Sequence, residues 1–399
     1  MTQVFKLFVK RYTGDHRSIR GLLCLLVGLL YSGFGFGEAD RPGYENQFYV
    51  MDFSANSYTI KDVEKRFFTS FPHSDPTRGD VVYDQSKWIN DDMIEVLGRD
   101  ALYLRIKDRE DERMFDSVRM TSKAYYNVTE QTPRILFVYK GRLPSANGVW
   151  PAWWLNGGAE DEWLYNAHEN MPVDKDLAAY TDKGPFYMVP SPVNTTDWPS
   201  SGELDIIETI NGHKLVHNTL HTCPQMYGSR WNKSSDLINC ANPKGEDPNS
   251  GCSGKPYEVA KMEGTFAAIW EKDSIEFYYW SDSERVRASG GPLSANPNPA
   301  SWQASQLKNR VDLVSPGTQC EAEKHQPWQC QKCEGSASNG FRNMKMVFNT
   351  TVCGIWAGVK FDGTPDAVSH CQDYVFSEGK KRIDNEYIKV EYISVSAIQ

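Results

Sequence analysis

A chain of 399 residues with 40% apolar and 13% aromatic side chains can build a sizeable core, which excludes an intrinsically disordered protein. Its formal charge is −9, and setting aside residues 1–37, with five basic side chains and one acidic, lowers it by 4 to −13, which opposes nucleic acid and anionic membranes as partners and suits a neutral polysaccharide. No Pro/Ser-rich linker or internal repeat divides it, so one large domain is expected rather than two.

At the N-terminus, Lys6, Lys10, Arg11, Arg17 and Arg20 precede an apolar run at 21–30 and small residues up to Gly37. This predicts a signal peptide over residues 1–37, because the apolar run is short for a membrane span; the long basic leader also leaves a signal anchor open. Export agrees with the cysteines: beyond Cys24 there are eight (Cys223, Cys240, Cys252, Cys320, Cys330, Cys333, Cys353 and Cys371), enough for four disulfides. Cys330 and Cys333 could form half a zinc site, but only Cys320 and His325 stand near, so no metal is expected. Sequons at Asn127, Asn194, Asn232 and Asn349 permit N-glycans, with Asn349 doubtful because it falls in a predicted strand.

Short runs at 134–140, 274–280 and 343–348 are rich in aromatic and β-branched residues and predict strands. Long helical periodicity is nearly absent, and many short strands separated by turns argue for an all-β sandwich. The segment 148–154 reads Gly-Val-Trp-Pro-Ala-Trp-Trp. Side chains alternate faces along a strand, so Trp153 and Trp154 cannot share one. For Trp150 and Trp153, core packing is preferred.

Residues 203–208, Glu-Leu-Asp-Ile-Ile-Glu, carry the chemistry. Turn formers flank them, and the apolar residues mark a buried strand in which carboxylates are costly unless paired or used. Glu203 and Asp205 share a face, whereas strict alternation would send Glu208 to the other. A β-bulge at Ile206-Ile207 would return it. Two carboxyl groups about 5–5.5 Å apart suit retaining glycoside hydrolysis, and crowded like charges raise at least one pKa, as a general acid requires. A calcium site or a chance acidic strand would show the same residues.

The surrounding motifs narrow this choice. In order they are Asp75-Pro-Thr-Arg-Gly-Asp-Val-Val-Tyr83, Asp116-Ser-Val-Arg-Met-Thr-Ser122, GVWPAWW, Trp198-Pro199 five residues before Glu203, Asn218-Thr-Leu-His-Thr222, and Val352-Cys-Gly-Ile-Trp-Ala-Gly358. Together they resemble glycoside hydrolase family 16, in its fungal-type endo-1,3(4)-β-glucanase (laminarinase-like) branch, over about residues 45–396. The resemblance implies a curved β-jelly-roll sandwich of the concanavalin A-like kind with loop insertions. It also implies Glu203 as nucleophile, Asp205 as assisting carboxylate and Glu208 as acid/base, with Trp154, Trp198, His221 and Trp356 lining the substrate cleft. Aromatic platforms suit the apolar faces of pyranose rings independently of any resemblance.

Two departures stand out. Ile355 replaces the family's usual Asp beside Trp356, and residues 157–197 stand where relatives have a short turn. Cys353 and Cys371 sit in family-like contexts, with Cys371 expected at the start of the C-terminal strand. The expectation is a secreted, monomeric endo-β-glucanase of β-1,3 or mixed β-1,3/1,4 specificity, needing no cofactor. The alternatives are a wall-remodelling β-glucan transglycosylase and a glucan-binding or structural wall protein on the same fold.

Overall fold

The structure is a computed structural model describing residues 46–69, 73–75, 77–83, 92–97, 99–109, 112–157, 202–222, 228–234, 236, 238–240, 251–281, 285–314 and 341–398. The expected signal segment 1–37, nearly all of the insertion 157–197, Trp198, the sequon at Asn194, and Cys24, Cys223, Cys320, Cys330 and Cys333 lie outside the described residues.

Two antiparallel sheets form the curved jelly-roll sandwich expected from the sequence. The sheet that carries the acids has the spatial order Cys252–Ser253, Leu215–His221, Glu203–Glu208, Val149–Asn156, Lys345–Val352, Arg119–Ser122 and Phe67–Thr69. The facing sheet is built on Arg134–Arg142, flanked on one side by Glu263–Glu271, Ser274–Trp280 and Leu307–Val314, and on the other by Tyr387–Ala397. Strands foreseen at 134–140 and 274–280 are present; the one foreseen at 343–348 begins two residues later and runs to Val352.

Alternation sorts each strand between core and cleft. Along Val149–Asn156, Val149, Trp153 and Leu155 are fully buried, while Trp150, Trp154 and Asn156 are only half-buried. Trp153 stacks on Phe348 from its own sheet, with ring centroids 5.9 Å apart, and both meet Tyr139 of the facing sheet at 5.5 and 5.3 Å. Leu204, Ile206 and Ile207 join the same cluster, so the hydrophobic side of the acid strand clamps it between the sheets. Removing a side chain as large as Trp153 from such a core costs about 3–5 kcal/mol.

A second, smaller core beside the sandwich corrects one expectation. Cys371 does not begin the C-terminal strand; it lies on the helix Ala367–Val375, and the strand starts at Tyr387. Ala367, Cys371 and Val375 recur every fourth residue and all three are buried, which is helical rather than strand spacing. Cys371 bonds to Cys353, and a second disulfide joins Cys240 to Cys252. Gly148, at φ +84°, turns the chain into the tryptophan strand against this core, where a β-carbon would stand 2.4 Å from Val375. Only glycine meets both demands.

Candidate active site

The predicted bulge is present. Pairing between the acid strand and Leu215–His221 runs Glu203 to His221, Leu204 to Leu220 and Asp205 to Thr219, then shifts so that Glu208 faces His217. On the other side Asp205 faces Trp154 and Ile207 faces Trp153, leaving Ile206 as the extra residue. Both isoleucines are buried, and the three acids share the cleft face. A bulge frees backbone groups that need partners. Asn218 donates from Nδ2 to the Ile206 carbonyl at 2.6 Å, and its Oδ1 accepts from Asn309 at 2.7 Å. Asn309 in turn accepts from Asn232 at 2.8 Å. This chain of amides, buried at Asn218 and Asn309, holds the irregularity in place.

The cleft floor consists of three rows crossing the sheet. His221, Glu203, Asn156 and Lys345 form the first. Thr219, Asp205, Trp154 and Val347 form the second, and His217, Glu208, Ala152 and Asn349 the third. The His221 imidazole Nε2 lies 3.3 Å from Asp205 and 3.6 Å from Glu203, close to both carboxylates. Gly251 backs this ring: a β-carbon there would come within 2.8 Å of it. Glu203, Asp205 and His221 each offer a ligand atom within 4.8 Å of the others, the one such cluster among the described residues.

Asp205 is 2% exposed, and burial pushes its carboxyl well above the usual range. Glu208 is raised too, first by burial and then by the charges of Asp205 and Glu203. Trp150 opposes that rise, donating from Nε1 to Glu208 Oε1 at 3.0 Å. The assignment of Trp150 to the core is therefore corrected, whereas Trp153 is core as expected. Strand alternation held the signal, since 150 and 154 are four residues apart and share a face.

Trp356, on the helical turn Gly354–Gly358, meets Trp150 edge-to-face at 5.3 Å and His217 at 5.1 Å. Three backbone links fix this turn: Ile355 donates to the Thr77 carbonyl, Gly79 bridges Cys353, and Asn211 donates from its side chain to Ala357. Ile355 projects beside Trp356, 38% exposed. Trp154 donates to Asn349 at 2.7 Å, and the Arg119 guanidinium lies 5.0 Å from its ring. The Asn349 amide also donates to Tyr83 and is buried, so this sequon has no free side chain in the fold. Trp150, His217, Arg119 and Asn349 were not singled out as cleft residues; His217 shares the alternation of His221, but Arg119 reaches the cleft through pairing that sequence spacing does not reveal.

Residues 192–396 match the family model described as the XgeA-like, catalytic GH16 domain. The chain belongs to glycoside hydrolase family 16. It is 26% identical over 369 residues to the endo-1,3(4)-beta-glucanase xgeA of Emericella nidulans, covering 86% of this chain and 48% of that one. Against a probable endo-1,3(4)-beta-glucanase of Aspergillus flavus it is 26% identical over 353 residues, covering 82% and 42%. The chain thus spans about half the length of the curated relatives it matches. Among solved GH16 structures, laminarinase 16A of Phanerochaete chrysosporium, with 6-O-glucosyl-laminaritriose in donor and acceptor sites, shares the fold at TM-score 0.53 and 21% identity, covering 87% and 99%. An elongating family 16 β-1,3-glucosyltransferase shares it at 0.57 and 18%, covering 87% and 100%.

Proposed function

We propose that this GH16 chain is a retaining endo-hydrolase of β-1,3 or mixed β-1,3/1,4 glucan. The observation that carries the reading is the alignment of Glu203, Asp205 and Glu208 on one cleft face through the Ile206 bulge. Glu203 attacks the anomeric carbon while Glu208, whose protonated form is favoured by burial and neighbouring charge, protonates the departing oxygen. Glu208 then takes a proton from water as the glycosyl-enzyme is released. Asp205, beside Glu203 and His221, is the assisting carboxylate. Trp150, Trp154 and Trp356 offer the flat surfaces that glucose rings stack against, and Trp198 belongs with them by its motif. The chemistry needs two carboxyl groups and no cofactor.

The leader pattern and the two disulfides support secretion, and a monomeric glycoprotein acting at a cell wall or outside the cell completes the proposal. Release of reducing ends from laminarin should disappear in Glu203→Gln while glucan binding persists. Undiminished release by that variant would sink the nucleophile assignment. β-Anomeric early products, followed by NMR, are expected; α-products would refute the two-step route. Growth of oligomers longer than the substrate would instead favour transglycosylation.

A further inference from the structure

Away from the acids, a cavity of about 420 Å³ opens where the turn after the acid strand meets the facing sheet. Its walls include Arg142 from the end of Arg134–Arg142, Gly212 and Lys214 from the turn, Lys261 just before Glu263–Glu271 and Glu263 at its start, and Arg382 from Lys380–Ile383. Four cationic residues from four chain segments therefore line it in a protein of net charge −9, although the Arg142 guanidinium also donates to the Tyr387 hydroxyl at 3.0 Å and lies over its ring. Glu263 pairs with Lys261 at 3.2 Å, and Glu386, behind Arg142, lies 3.7 Å from its guanidinium. Glu386 is already engaged by the Ser145 backbone N–H at 3.1 Å. Among the described residues, Lys214 and Arg382 have no ion-pair partner.

Like charges gathered in a concavity repel one another and raise the local affinity for an anion. An arginine together with a lysine suits a tetrahedral oxyanion, the first by its planar fork and the second as a point charge. The volume falls in the range of small-molecule sites, about 300–1,000 Å³, and exceeds the needs of a lone ion. We propose that this cavity binds a sugar bearing a sulfate or phosphate ester, with Lys214 and Arg382 as its anion ligands. The site stands apart from Glu203 and Glu208 and does not depend on the reaction they perform. The turn that floors it nevertheless touches the cleft, because Asn211, adjacent to Gly212, holds Ala357 beside Trp356.

Calorimetric titration of the full chain at fixed ionic strength tests this, using glucose 6-sulfate, glucose 6-phosphate, glucose and inorganic sulfate. The esters should bind about tenfold or more tightly than either glucose or sulfate, and the Lys214→Gln/Arg382→Gln pair should lose about tenfold of that affinity. The pair should unfold at the parent's temperature without ligand, since both side chains lie at the surface. Equal binding by parent and variant would overturn the proposal. Inorganic sulfate binding as tightly as the esters would overturn the sugar and leave a free-anion site. A Lys214→Glu variant supplies a second reading: retained ester affinity there would also overturn it.

Discussion

At the scale of single residues, the cleft is governed by how protons are held. Trp150 donates to Glu208, and a donor to a carboxylate favours its charged form. In Trp150→Phe that influence is lost, so Glu208 should hold its proton to higher pH and the alkaline limb of kcat/KM should move upward. The rate should also fall by about 10–100-fold, the worth of one hydrogen bond to a charged group. A full pH profile reads both effects. Asp205 gives a stability prediction of definite sign. Its folded pKa is raised by burial, so above the unfolded value near 4 the folded state binds more protons than the unfolded chain and stability falls as pH rises. Asp205→Asn removes that dependence. Its melting temperature relative to the parent should therefore climb as pH is raised from about 4, and a constant difference across pH would contradict the assignment.

At the scale of elements, the helical turn carrying Trp356 is held from behind by covalent and backbone links. The Cys353–Cys371 disulfide closes a segment of 18 residues and ties this turn to the helix Ala367–Val375. Replacing both cysteines by serine should cost about 3 kcal/mol in denaturant unfolding, the entropy of a loop this size. KM for laminarin should rise with it, since Trp356 loses its fixed place against Trp150 and His217. Sequence motifs brought Trp356 and the two cysteines to notice, yet the helix that carries Cys371 was missed. Its nine residues are too short to stand out from polar surroundings, although the spacing of Ala367, Cys371 and Val375 was there to read. The acid strand was more legible because its period of two fails at one point and only a bulge repairs it. Trp150 shows the opposite lapse, for the alternation that separates Trp153 from Trp154 also unites Trp150 with Trp154. Arg119 depends on which strand neighbours which, a long-range fact that local patterning does not contain.

At the scale of the molecule, Gly157 donates to the Gly202 carbonyl at 2.9 Å, so the chain leaves the tryptophan strand and returns to the acid strand through one closed junction. Because loop closure depends only weakly on length, replacing residues 158–201 by a short turn should leave the sandwich folded, with a melting temperature within a few degrees of the parent. A collapse of the cooperative transition would show that the segment supports the core. The bulge has a consequence of its own for how such a strand can vary. Asp205 and Glu208 stand opposite Thr219 and His217, two positions apart on the neighbour, although three steps separate them in their own strand. Omitting Ile206 would leave every carboxylate opposite the same partner, with the loss of one core side chain and of the carbonyl that the Asn218 amide bonds. Two spellings of different length therefore encode one arrangement of acids, and a lineage could pass between them by a single-codon insertion or deletion without dismantling the chemistry on the way.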